Sequence, residues 1–245
     1  MALIIGRRAV LEAINSGEPL EQVFILHGQK GGIIDAIRIA SKKRGIKCSE
    51  TSTEKFKQIT TNPNAQGVAA RKSSQKFYSL NDILETTKSK LGEAFPLILI
   101  LDSIQDTHNL GAILRTAECA GVDGVILTKH KSAPINETVV KTSAGATEHL
   151  KICPVDNLVN SIKELKENGF WIFGSSLTNA KDYTTVDYKL SAAIIVGNEE
   201  KGIRKLVAEN CDFLIKIPML GKIQSLNVSV SAGILLFEVL RQRSS

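Results

Sequence analysis

Residues 101–117 read LDSIQDTHNLGAILRTA, an apolar run that breaks into a polar loop and reopens as a helix. The run starts upstream, at Leu97-Ile98-Leu99-Ile100-Leu101. Five apolar residues in a row fit a strand buried on both faces better than one with a wet side. Downstream, Leu110, Leu114 and Ala117 recur at i, i+4 and i+7, the core-facing stripe of a helix. Arg115 lies about 140° around the helix from Leu110, off that stripe. A buried strand, a polar loop and an amphipathic helix form the repeating unit of a parallel α/β sheet.

The rest of the chain repeats that unit. Further strands are predicted at Val125–Thr128, Trp171–Gly174, Ala192–Gly197 and Phe213–Ile217. Helices fall at about Asn109–Ala120, Leu158–Glu167 and Ile203–Asn210, with a long one after Leu226. In such sheets ligands bind beyond the carboxyl ends of the strands. The first ~75 residues are a smaller α/β module by the same apolar periods. Ala9, Val10, Ala13 and Ile14 share a helical face, Val23–Leu26 is a strand, and Ile33, Ile34, Ile37 and Ala40 form a second stripe. A strand at Ile46–Ser49, a short helix at Thr53–Ile59 and a strand at Gly67–Ala70 complete it. The polar run 71–76 and a weak helical pattern over Tyr78–Phe95 mark a boundary. The expected domains are therefore 1–72, a linker at 73–95, and 96–245.

The 245 residues are 43% apolar and 23% charged, the balance of an ordinary globular protein. No apolar run is long enough for a membrane span or a signal-peptide core, so a cytoplasmic protein is expected. The four cysteines and four histidines show no metal-ligand spacing, and no metal is expected. The net charge of +6 favours a polyanionic partner. Three Tyr and one Trp argue against a surface that stacks many single-stranded bases.

Three segments carry chemistry. In the first, Asn109 stands at the helix entrance, where an N-cap would account for it equally well. Arg115 is either a solvated helix charge or a fork for phosphate or carboxylate. The second reads IIVGNEEKGI over residues 194–203. A buried strand ends in Gly197, where backbone turns tightly or approaches a ligand. Gly197 and Gly202 have Walker A spacing, but Ile203 stands where the lysine must be, which excludes a triphosphate cradle. No G-x-G-x-x-G occurs either, which weakens a dinucleotide site. Glu199 is explained by a helix macrodipole or by a role in the site. The third spans residues 217–237 and begins IPMLGKIQSLNVSV. Val228, Ala232, Leu235 and Val239 fit a helix, whose entrance holds Ser225 and Asn227.

Taken in this order, the three segments resemble the three motifs of the SPOUT-type (SpoU) RNA ribose 2′-O-methyltransferases. Asn109 and Arg115 match the first, Gly197 and Glu199 the second, and Ser225, Leu226 and Asn227 the third. The segments GRRAVLEAI (residues 6–14) and QGVA (66–69) resemble the family's L30e-like substrate-binding domain. The resemblance departs at Thr107-His108, where many relatives carry Asp-Pro, and leaves Asp106 in place. The stretch SLNVSV (225–230), with Phe237-Glu238 and Arg241-Gln242-Arg243, resembles members acting on a guanosine of 23S rRNA.

The resemblance implies a parallel α/β sheet with a deep trefoil knot, and S-adenosylmethionine as methyl donor. It places that donor on Gly197, Ile217 and Leu226, with 174–177 nearby. It implies catalytic positions at Asn109, Arg115, Glu199, Ser225 and Asn227, a homodimer, and 23S rRNA or its assembly precursor as partner. The alternatives are a tRNA or an rRNA adenosine as target, or a non-catalytic RNA-binding assembly factor. A dehydrogenase on a doubly wound sheet is disfavoured by the missing glycine fingerprint.

Overall fold

The computed structural model describes residues 3–18, 20–72, 75–89, 95–222 and 225–244. The chain divides into two compact units, Met1–Lys76 with Pro134–Glu137, and Phe77–Ala133 with Thr138–Ser245. Of the stretch 73–95, residues 73, 74 and 90–94 lie outside the described residues.

The first unit runs β1 (Leu3–Ile5), α1 (Arg7–Ser16), β2 (Leu20–Leu26), α2 (Gly32–Lys43), β3 (Lys47–Thr51), α3 (Thr53–Ile59) and β4 (Val68–Lys72). Its four strands lie in the order β1-β4-β2-β3, with β2 and β3 parallel and β4 antiparallel to its neighbours. Val10, Ile14, Ile34 and Ile37 pack against Val23, Ile25, Val68 and Ala70 as one core. Ala9, expected on the buried face of α1, is exposed. The three-residue β1 was too short to register as a period and is fixed by pairing with β4.

Charge is divided unevenly along the chain. Residues 1–76 carry 13 Lys and Arg against 6 Asp and Glu, a net +7. Residues 77–245 carry 18 against 19, a net −1. The whole basic excess therefore belongs to the N-terminal segment.

The second unit contains α4 (Leu80–Lys88), β5 (Leu97–Asp102), α5 (Thr107–Cys119), β6 (Gly124–Thr128), α6 (Glu137–Thr142), β7 (Ile152–Val155), α7 (Leu158–Glu167), β8 (Trp171–Ser175), β9 (Lys181–Asp182), β10 (Ala192–Gly197), α8 (Lys205–Ala208), β11 (Phe213–Lys216) and α9 (Val228–Arg243). Seven strands form one sheet in the order β7-β6-β5-β10-β8-β11-β9. Every neighbouring pair in it is parallel. All carboxyl ends therefore lie along one rim. β5 and β10 are buried along their whole length, as their unbroken apolar runs require.

Several helix boundaries differ from the sequence reading. α4 occupies the expected linker, and its Leu80, Ile83 and Leu84 belong to the core of the second unit. A Ser79–Asp82 capping box starts it. α8 is four residues long, because residues 198–204 form a loop instead of its first turn.

Candidate active site

The rim between β5 and β10 is built by register. Gly197 pairs with Asp102, so the two strands end together and release their loops side by side. The loop after β5 leads into α5, whose N-cap is Asp106 and not Asn109. Asp106 Oδ1 accepts the Asn109 backbone N–H at 2.7 Å. Asn109 is the third helical residue, and its side chain is released from capping for another use. The motif departure at Thr107-His108 thus leaves the cap intact.

That use is a hydrogen-bonded chain joining all three motifs. Asn109 Nδ2 donates to Glu199 Oε1 at 2.9 Å, and Asn227 Nδ2 donates to Asn109 Oδ1 at 3.0 Å. Asn227 is also the N-cap of α9, accepting the Ser229 N–H at 2.8 Å. The capping and functional readings of Asn227 hold together, through different ends of one amide. Glu199 lies in the loop after β10, not at a helix start, so the macrodipole does not explain it.

Beside this chain lies a cavity of about 670 Å³. The strand ends of β8, β10 and β11 and the start of α9 line it, including Ser175, Gly197, Glu199, Ile217, Ser225 and Leu226. Gly197 fits only as glycine: an added Cβ would overlap the Gly202 and Ile203 backbone. Its neighbour Gly202 has φ of 66°, in the left-handed region open to glycine without strain. Asn198 and Gly202 exchange backbone hydrogen bonds at 3.1 and 2.8 Å, closing the loop into a tight turn. Arg115 stands apart from the cavity lining, on the exposed side of α5.

The sequence reading missed Asn198, Asp102 and Arg204, and named Asp106 without its capping role. Asn198 Nδ2 reaches Glu199 Oε2 at 3.2 Å and the Ser103 carbonyl at 3.3 Å. The only signal for Asn198 was an amide directly after a strand-ending glycine.

A seven-stranded parallel sheet with a polar cleft on its carboxyl rim defines an α/β protein that takes its ligand at the strand ends. The SpoU rRNA Methylase family model matches residues 96–237, and the model for RNA 2′-O ribose methyltransferase substrate binding matches residues 3–78. A protein of Staphylococcus aureus (strain MSSA476) named "Putative TrmH family tRNA/rRNA methyltransferase" is 42% identical over 241 residues, covering 98% of this chain and 96% of its own. The AdoMet-bound rRNA methyltransferase of Sinorhizobium meliloti superposes with a TM-score of 0.63 at 26% identity, covering 98% of this chain and 86% of that one. The TrmH/SpoU tRNA modifying enzyme of A. aeolicus gives 0.58 at 35% identity, covering 67% of this chain and 84% of that one. The chain belongs to the SpoU methylase family and is an RNA methyltransferase.

Proposed function

We propose that this protein methylates the ribose 2′-hydroxyl of a guanosine in 23S rRNA, or in its assembly precursor, with S-adenosylmethionine as donor. The observation that carries the reading is the Asn227–Asn109–Glu199 chain beside the cavity. Three motifs far apart in sequence meet at one rim, where a reaction centre needs them.

The cavity suits the donor. Gly197 admits close backbone approach, and Ile217 and Leu226 supply apolar surface beside the polar Ser225. These residues would hold S-adenosylmethionine, which when bound supplies a sulfonium methyl carbon open to in-line displacement by a ribose oxygen. Residues of this chain then have three tasks: to position the hydroxyl, assist loss of its proton and stabilise the developing charge. Glu199, gripped by two amides, is a fixed acceptor facing the cavity. Asn109 and Asn198 fix it, and Asn227, donating to Asn109, ties α9 to α5. A guanidinium is a planar fork of donors with no acceptor atom, so the role of Arg115 is to grip the phosphate and the 2′-oxygen, not to act as a base.

The net +7 of residues 1–76 supports RNA capture by the expected domain 1–72, with chemistry on 96–245. The match to the A. aeolicus tRNA enzyme leaves a third of this chain uncovered, whereas the S. meliloti rRNA enzyme matches 98%; this favours rRNA over tRNA. A homodimer is supported by α9, where Val230, Phe237 and Leu240 expose 50%, 47% and 38% of their surface. The family's knotted path for the C-terminal segment and a cytoplasmic setting complete the reading. Among the described residues, no helix is long and apolar enough to cross a membrane.

The test is incubation with tritiated S-adenosylmethionine and unmodified 23S rRNA, followed by nucleoside analysis. Label on the ribose of guanosine is expected. Label on tRNA alone overturns the target, and absence of cofactor binding overturns the enzyme.

A further inference from the structure

The cavity-lining loop 197–204 is tied down at both of its ends by one corner of the chain. That corner is Asp102-Ser103, where β5 ends. At the far end of the loop, Asp102 accepts from the Arg204 backbone N–H at 2.9 Å and from Arg204 Nε at 2.7 Å. Ser103 Oγ adds a third hydrogen bond to the same carboxylate at 3.1 Å. At the near end, the Ser103 carbonyl accepts from Asn198 Nδ2, which also reaches Glu199. Ser103 has φ of 65°, a conformation uncommon outside glycine.

The Asp102 side chain is 0% exposed, whereas that of Arg204 is 49% exposed. A buried carboxylate is costly unless paired and hydrogen-bonded, so Asp102 holds its cationic partner firmly. An arginine used only as a solvated surface charge needs no such anchor. Asn198 Oδ1 further accepts the Glu200 and Lys201 N–H groups, leaving the loop little freedom between its two ties.

We propose that Asp102 and Arg204 are positioning residues for the methyl-donor site. Their ion pair preforms the backbone of loop 197–204, and with it the setting of Glu199, before the donor arrives. The inference rests on reading the cavity as the S-adenosylmethionine site. Preformation lowers the ordering cost of binding, so its loss falls on donor affinity and not on the chemical step.

The experiment measures equilibrium S-adenosylmethionine binding by calorimetry and steady-state kinetics for wild type, Arg204→Gln, Arg204→Lys, Asp102→Asn and the Arg204→Gln/Asp102→Asn double variant. Arg204→Gln is expected to weaken donor binding roughly tenfold and raise the donor KM in parallel. Its kcat at saturating donor and its RNA KM stay within about twofold. Arg204→Lys recovers part of the affinity, and the double variant loses little beyond either single one. Unchanged donor affinity in Arg204→Gln overturns the proposal, as does a rise confined to the RNA KM, which would make Arg204 an RNA contact. Should Asp102→Asn fail to fold, the two Arg204 variants decide alone. If wild type binds no donor, the functional reading fails. Amide exchange at Asn198 and Gly202 then decides separately whether the ion pair holds the loop: faster in Arg204→Gln if it does, unchanged if it does not.

Discussion

Asn109 and Glu199, ninety residues apart in sequence, meet at 2.9 Å through an amide-to-carboxylate hydrogen bond. The amide is matched to its partner as well as placed. Asn109→Asp would set a second carboxylate against Glu199 and remove the donor, whereas Asn109→Ala only removes it. Methyl transfer in Asn109→Asp is expected to fall on the order of a hundredfold, and further than in Asn109→Ala. Equal losses in tritium-transfer assays would show that the Glu199 contact is not what Asn109 supplies.

Gly197→Ala drives a methyl group into the Gly202–Ile203 backbone, which cannot yield as a flexible side chain would. We expect a stability loss of about 1–3 kcal/mol by thermal unfolding, together with lost donor binding. A variant that binds S-adenosylmethionine normally would place the donor elsewhere.

Arg115→Ala is expected to lower kcat strongly, and Arg115→Lys to restore part of it without introducing a new acidic limb in the pH–rate profile. The reason is that gripping an oxyanion needs charge, which lysine also carries at neutral pH. Full restoration with a new lower limb would make this position the base.

Arg243 anchors the end of α9. Its guanidinium donates to the carbonyls of Phe95, Pro96, Tyr188 and Leu190, at 2.6 to 3.2 Å. Burial pushes its pKa down to about 10, so it remains charged at neutral pH. Arg243→Met keeps the stem and strands four acceptors. A loss of about 3 kcal/mol is expected, or a Tm lower by roughly 6–12 °C in a domain of this size. A change under about 1 kcal/mol would mean that water replaces the guanidinium at no cost.

Glu238, on α9 one turn before Arg241, accepts from Arg241 Nε and Nη2, both at 2.8 Å, and from Gln242 Nε2 at 2.9 Å. The Arg241 hydrogen bond, opposed by burial, holds its carboxyl below the usual carboxylate range. A carboxyl depressed by folding stabilises the protein above its unfolded pKa, and that stability is lost as pH falls through the folded value. Denaturant titrations should show wild type more stable than Glu238→Gln at pH 7, with the gap closing as pH drops below ordinary glutamate titration. A gap independent of pH would assign the effect to shape.

The strands of the second unit were legible because β5 through Leu101 and β10 through Val196 are unbroken apolar runs, as a sheet covered on both faces requires. β7 was not, since Ile152–Val155 is short and contains a proline, and its identity comes from pairing with β6. α4 was legible only as a weak helical pattern inside the expected linker, because its stripe of Leu80, Ile83 and Leu84 is brief and followed by polar residues. In the site, the motif residues were legible as types and positions. Their connections were not: which amide bonds which carboxylate depends on the β5–β10 register, a non-local pairing. Asp102 shows the same limit, for it reads as the polar end of an apolar run until Arg204 is seen beside it.

The uneven distribution of charge has a consequence for how this enzyme responds to its surroundings. Salt weakens a polyanion's hold on a basic surface in proportion to the phosphates neutralised. On the proposed reading that sensitivity lies mainly in residues 1–76, with their net +7, while residues 77–245, with a net −1, hold the methyl-donor cavity and Arg115. Ionic strength is then expected to act as a dial on target residence more than on turnover per bound complex. A rise in magnesium or polyamine would then lower the share of target RNA that is held before it slows the marking of what is held.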